Sequence, residues 1–158
     1  MKVIYPGTFD PITNGHIDII KRGINLFEEV TLLVSCHPWK KTLFTLEERI
    51  EIIKKVTNSL PKVNVDSYCG LLVSYIEKNN VKGVIRGLRA VSDFEYEFQM
   101  ALTNREMNRN FETIFFMTDI NYTYLSSSMV KELAKLDADI SKMVPPAVAE
   151  SLKQKYKG

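Results

Sequence analysis

An α/β fold built on a doubly wound, mostly parallel sheet of five strands is predicted by three observations. Short β-branched or aromatic runs alternate with amphipathic segments along the chain. The connections between them are short. A loop with two glycines joins the first strand to the first helix. The strand candidates are Lys2 to Tyr5, Val30 to Ser35, Val63 to Tyr68, Gly83 to Ile85 and Thr113 to Met117. Between them, Ile17, Ile20, Ile24 and Phe27 recur at helical spacing, as do Leu46, Ile50 and Ile53, so each segment has one apolar stripe to lay on the sheet. Thr45-Leu46-Glu47-Glu48 and Ser92-Asp93-Phe94-Glu95 read as capping boxes, in which a hydroxyl and a carboxylate three residues apart satisfy backbone donors reciprocally. A further helix is expected over Leu71 to Asn79. Another follows Ser126-Ser127-Ser128 through Met129, Val130 and Leu133, and Pro145-Pro146 opens a last one ending near Tyr156.

Right-handed crossovers and the common order 3-2-1-4-5 make this a Rossmann-like sheet with helices on both faces and with strands one and four adjacent where the winding reverses. Ligands of such sheets bind at the carboxyl ends of the strands that flank that switch. The loop Thr8 to His16 and the segment Arg86-Gly87-Leu88-Arg89 are therefore expected to face each other across one cleft.

At 158 residues and 45% hydrophobic content, residues 1–158 are expected to form one domain, able to bury roughly 70% of its unfolded surface without covalent staples. Cys36 and Cys69 lack metal-ligand spacing and disulfide-framework density, so two reduced, partly buried thiols are expected, as suits a reducing cytoplasm. The amino terminus lacks the regions of a signal peptide, and no apolar run is long enough for a membrane span. A net charge of +2 is too small for general nucleic-acid binding. The basic residues Lys40, Lys41, Arg86, Arg89 and Lys131 instead cluster near the loops named above and point to local anion capture.

Thr13-x-Gly15-His16 lies at a helix amino end, where unpaired N–H groups and a partial positive charge stabilise an anion. That environment disfavours imidazolium, so His16 is expected to be neutral and to donate to a phosphoryl oxygen, whereas His37 is an ordinary loop histidine. Arg86 and Arg89, at a strand end, can offer forked donors to phosphates, and Lys40 at the cleft rim can neutralise one. The three serines add hydroxyls and first-turn amides suited to a triphosphate. Trp39, Phe9, Phe94, Tyr96 and Phe98 are assigned to core or interface. A P-loop, a G-x-G-x-x-G turn and a G-x-S-x-G elbow are all absent, so no covalent nucleophile is evident.

Three stretches, Tyr-Pro-Gly-Thr-Phe-Asp-Pro-Ile-Thr-Asn-Gly-His at 5–16, Ile-Arg-Gly-Leu-Arg-Ala at 85–90 with Asp-Phe-Glu-Tyr-Glu at 93–97, and Ser-Ser-Ser-Met-Val-Lys at 126–131, together resemble the bacterial phosphopantetheine adenylyltransferases of the nucleotidylyltransferase superfamily. The resemblance implies transfer of AMP from ATP to 4′-phosphopantetheine with Mg²⁺ assisting, in a cytoplasmic homohexamer inhibited by coenzyme A. It implies that Thr8 and His16 face the reacting phosphates, with His16 stabilising the transition state and Lys40 and Arg89 completing the catalytic set. Thr8, Lys40, Leu72 and Arg86 match substrate-binding positions. Thr8, Phe9, His16, Gly87, Leu88, Arg89, Glu97, Tyr122, Thr123, Tyr124, Leu125, Ser126, Ser127 and Ser128 match the ATP site. Lys131 departs from the arginine many relatives carry, keeping the charge without the fork. The metal ligands are not legible, and Leu71 and Leu72 read equally well as pantetheine contacts or as helix packing. Two alternatives stand beside this reading: a nucleotidylyltransferase with nicotinamide mononucleotide or a phosphorylated alcohol as acceptor, and a non-catalytic flavodoxin-like binding module.

Overall fold

The computed structural model describes the backbone of all 158 residues and every side chain except those of Val91 and Ser92. Its strands are β1 (Lys2–Gly7), β2 (Glu29–Cys36), β3 (Val63–Cys69), β4 (Gly83–Leu88) and β5 (Glu112–Met117). The helices are α1 (Asn14–Leu26), α2 (Leu46–Thr57), α3 (Leu72–Asn79), α4 (Val91–Met107), α5 (Ser127–Lys135) and α6 (Pro146–Lys157). All strand pairs are parallel, in the order β3-β2-β1-β4-β5 that the alternating pattern predicts.

Alternate strand side chains point to opposite faces, and each face carries its own core. The larger joins Val3, Tyr5, Leu32 and Val34 to α1, α2, α5 and α6 through Ile20, Ile53, Val130 and Leu152, all buried. The smaller packs Ile4, Leu33 and Val84 against Val73 and Ile76 of α3. Among the described residues, no helix is long and apolar enough to cross a membrane.

One detail of register creates the functional cleft. β1 and β2 pair from Lys2↔Glu29 to Gly7↔Val34, but β1 and β4 pair only at Val3↔Gly83 and Ile4↔Val84. Beyond Ile4 and Val84 the two central strands no longer exchange ladder bonds, so the sheet opens toward its carboxyl edge at the reversal of winding.

Two expectations need correction. α4 starts at Val91 with Ala90 as its cap, so Ser92 lies inside the helix rather than before it; its side chain lies outside the described ones, and Asp93 accepts from the Arg89 amide instead. The cysteines are bonded to each other, because the β2–β3 register sets Cys36 beside Cys69 with their Cα atoms 5.0 Å apart. Of the aromatics expected in core or interface, Trp39 is 82% exposed and stacks on His37, and Phe94, Tyr96 and Phe98 are exposed on α4. Only Phe9 of that aromatic set is buried.

Candidate active site

The first wall of the cleft is the loop from β1 to α1. Phe9 adopts a left-handed backbone (φ 48), a conformation that costs a non-glycine residue about 1–3 kcal/mol and is held by surrounding packing. Its ring lies edge-on to both Tyr5, at 5.5 Å between centroids, and His16, at 5.1 Å. Thr13 caps α1: its hydroxyl accepts from the His16 amide, while its own amide donates to Nδ1 of His16 at 3.0 Å. That bond leaves the imidazole proton on Nε2. Burial, reinforced by the Arg89 and Arg86 guanidiniums, lowers the His16 pKa to about 4, so the ring is the neutral donor that its helix position predicts.

The opposite wall is the end of β4. Gly87 lies close against α1: a Cβ there would meet Ile19 Cδ1, and the end of that side chain would have to shift. Arg86 and Arg89 do not present open forks. Arg86 donates from Nε and Nη2 to Glu97, at 2.7 and 2.6 Å, and from Nη1 to the Pro6 carbonyl at 2.9 Å, across the gap where β1 and β4 part. Arg89 donates to Asp93 at 3.0 Å and to the Leu125 carbonyl at 3.0 Å. A carboxylate one helical turn into α4 takes Arg89, and a second, one turn further, takes Arg86. The guanidiniums therefore supply fixed positive charge with only part of their donors free.

The third wall is the start of α5. Ser126 caps it by accepting from the Met129 amide at 3.1 Å, and Ser127 donates to the Pro11 carbonyl at 2.7 Å, which fastens α5 to the β1–α1 loop. The Ser128 hydroxyl makes no hydrogen bond among the described residues, which leaves it and the first-turn amides facing the cleft. At the rim, Lys40 donates to the Thr8 hydroxyl at 2.9 Å.

Sequence reasoning missed what lies beneath. Asp10, 4% exposed, accepts from the Leu43 and Phe44 amides at 2.9 Å each and from Lys131 at 2.7 Å. Burial alone would raise its carboxyl, but Lys131 and the two amides outweigh burial and hold it below the usual carboxylate range. Arg49, also buried, donates to the Thr8 carbonyl at 2.7 Å and the Ser35 carbonyl at 3.0 Å. Both partners come from distant segments, so no local motif marks them.

These walls enclose two adjoining cavities. The first, about 350 Å³, is lined by Thr8, Phe9, His16, Lys40, Arg86, Gly87, Arg89, Glu97, Tyr122, Leu125 and all three serines, with Lys131 at its edge. The second, about 380 Å³, shares Thr8, Lys40, Arg86 and Glu97 with the first and continues over Tyr68, Leu72 and Met100. Leu72 thus belongs to a cavity wall, whereas exposed Leu71 does not. Leu88, Thr123 and Tyr124 line neither cavity; the Leu88 carbonyl accepts from the Thr118 amide, and the Thr123 hydroxyl donates to the Ile120 carbonyl. What emerges is a charged chamber and a more apolar one meeting at Thr8, Lys40 and Arg86.

A cytidylyltransferase-like family model matches residues 4–133. Phosphopantetheine adenylyltransferase of Caldanaerobacter subterraneus is 56% identical to this chain over 98% of it and 96% of the relative. The enzyme of the same name from Dictyoglomus turgidum is 53% identical over 99% and 98%. The chain belongs to the phosphopantetheine adenylyltransferase family. Within the wider nucleotidyltransferase fold, a solved structure described as a candidate nicotinate-nucleotide adenylyltransferase of Vibrio parahaemolyticus superposes with a TM-score of 0.73, covering 96% of this chain and 97% of that one at 17% identity. That likeness is one of fold.

Proposed function

We propose that this protein transfers AMP from ATP to 4′-phosphopantetheine, releasing pyrophosphate and forming dephospho-coenzyme A. The observation that carries the reading is the pair of cavities joined at Thr8, Lys40 and Arg86: a charged chamber suits a nucleoside triphosphate, and the more apolar one suits a phosphorylated arm with a long uncharged tail. An oxygen of the acceptor phosphate attacks the α-phosphorus as the bond to the β-phosphate breaks. That oxygen is already anionic near neutral pH, so no general base is needed, and the enzyme must align two anions and offset their repulsion. Lys40 and the paired Arg86 supply charge at the junction. His16 Nε2–H meets an oxygen whose charge grows in the transition state, and the first turn of α5 receives the departing phosphates.

Mg²⁺ is part of this reading, although the residues present do not form a protein-held site for it. The carboxylates lining the first cavity are Asp10, Asp93 and Glu97, and each is engaged by a protein cation. Among the described residues, no group of three or more His, Cys, Asp or Glu could hold a metal ion. The donor set suits a cation that arrives on the triphosphate, as Mg²⁺ commonly does. Membership of the family also supports a cytoplasmic homohexamer inhibited by coenzyme A, whose pantetheine arm would compete for the second cavity. The exposed α4 stripe Phe94, Phe98 and Leu102 offers copies an apolar contact. A pyrophosphate-release assay tests the activity: release with ATP and Mg²⁺ is expected with 4′-phosphopantetheine and not with nicotinamide mononucleotide, and no release with either overturns the reading.

A further inference from the structure

We propose that Cys36 and Cys69 form a thiol–disulfide exchange site on the sheet face opposite the second cavity, through which low-molecular-weight thiols set how tightly that cavity holds its occupant. The two residues are register partners at the carboxyl ends of β2 and β3, and their Cα separation of 5.0 Å lies within the range a disulfide spans. Ser35 and His37, on either side of Cys36, line the second cavity, as does Tyr68 before Cys69. Strand alternation therefore turns both sulfurs to the other face of the sheet, away from the cavity. Cys69 is exposed and Cys36 half-buried, so Cys69 is the sulfur a thiol in solution meets. Beyond Cys36 the chain continues through His37 to Lys40; beyond Cys69 it turns at Gly70 (φ 120) and enters α3 at Leu72. The bond thus clasps the two loops that bring His37, Lys40 and Leu72 to the cavity.

A chain with two cores of this size does not need a disulfide to fold, and in a reducing compartment such pairs are typically transient and redox-sensing. The exchange balances. A small thiolate attacks Cys69 Sγ, the bond to Cys36 breaks, and Cys36 leaves as thiolate. A second small thiolate then attacks the mixed disulfide, releasing a small-molecule disulfide and the Cys69 thiolate. Two electrons pass from the two small thiols to the cysteine pair, and the small-molecule disulfide reverses the sequence. With the clasp closed the cavity is preorganised; with it open, part of the population holds the loops apart, and the apparent affinity falls by that fraction.

The chemistry is tested by trapping. The Cys36→Ser variant, treated with pantethine or with cystine, is expected to carry one adduct by intact mass, mapped to Cys69. An adduct from pantethine alone assigns the site to pantetheine-type thiols, and adducts from both assign it to small thiols generally. No adduct from either overturns the proposal. The control arm rests on the proposed adenylyl transfer and uses S-methylated 4′-phosphopantetheine, which cannot itself reduce the pair. Reduction of the wild-type protein is expected to raise KM for this acceptor roughly tenfold with KM for ATP unchanged, and a double serine variant should show the higher KM under either condition. Equal KM values in the oxidised and reduced wild type overturn control of the cavity. Absence of turnover in both states defeats the proposed function while the trapping result stands by itself.

Discussion

At the scale of single residues, the site works by holding groups in one protonation state. His16 stays neutral because Thr13 donates to one ring nitrogen while burial and two guanidiniums oppose a second proton. Replacing it with alanine removes a donor that matters most in the transition state, so kcat should fall by roughly 10²- to 10³-fold with ATP affinity little changed; steady-state kinetics beside calorimetric titration checks both. Its protonation also affects stability. With a folded pKa of about 4 against an ordinary 6.5, the unfolded chain binds a proton in that interval that the folded one does not. The contribution of His16 to stability is therefore complete above pH 6.5 and declines as pH falls toward 4. The thermal midpoint of the wild type should drop more steeply over that interval than that of His16→Gln. Chelation supplies another residue-level test: with Asp10, Asp93 and Glu97 all paired, EDTA should abolish turnover, yet nucleotide-free protein should show no tight Mg²⁺ binding by calorimetry.

At the scale of elements, what joins the cleft is long-range. Lys131 of α5 reaches Asp10 across 121 positions and, through the same carboxylate, the amides that open the way to α2. Lys131→Met leaves a buried carboxylate without its cation, and denaturant unfolding should show a loss of about 3 kcal/mol. A loss under 0.5 kcal/mol would mean that the two amides alone satisfy Asp10. This contrast explains how far the chain could be read in advance. Strand order, the crevice and the Thr45–Glu48 cap follow from local pattern, and Thr13-Asn14-Gly15-His16 announces its helix terminus by spacing alone. The pairing of Arg86 with Glu97, the burial of Asp10 and Arg49, and the meeting of Cys36 with Cys69 depend on register and three-dimensional proximity, which residue type does not encode. The α4 start is not legible locally, because Ser92 has a capping residue's chemistry while the backbone already turns helical at Val91, after Ala90.

At the scale of the whole molecule, the two faces of the sheet are unequally dressed. α1, α2, α5 and α6 bury a continuous core, whereas α4 leaves Phe94, Phe98 and Leu102 in a single exposed stripe, with the two phenylalanine rings stacked at 5.4 Å. Phe98→Glu should shift the particle to smaller species in sedimentation velocity while its circular dichroism stays unchanged. An unaltered distribution would remove this stripe from the proposed association of copies.

The central seam of the sheet, Val3↔Gly83 and Ile4↔Val84, is also its shortest. The halves on either side are thus stitched by few crosspieces, and a nucleotide touching both His16 and Gly87 would act as the missing rung. Saturation at a hundredfold over Kd should add about 2.7 kcal/mol to unfolding, and hydrogen exchange should slow first at the amides of Gly7 and Arg86, where mortar replaces a gap in the masonry.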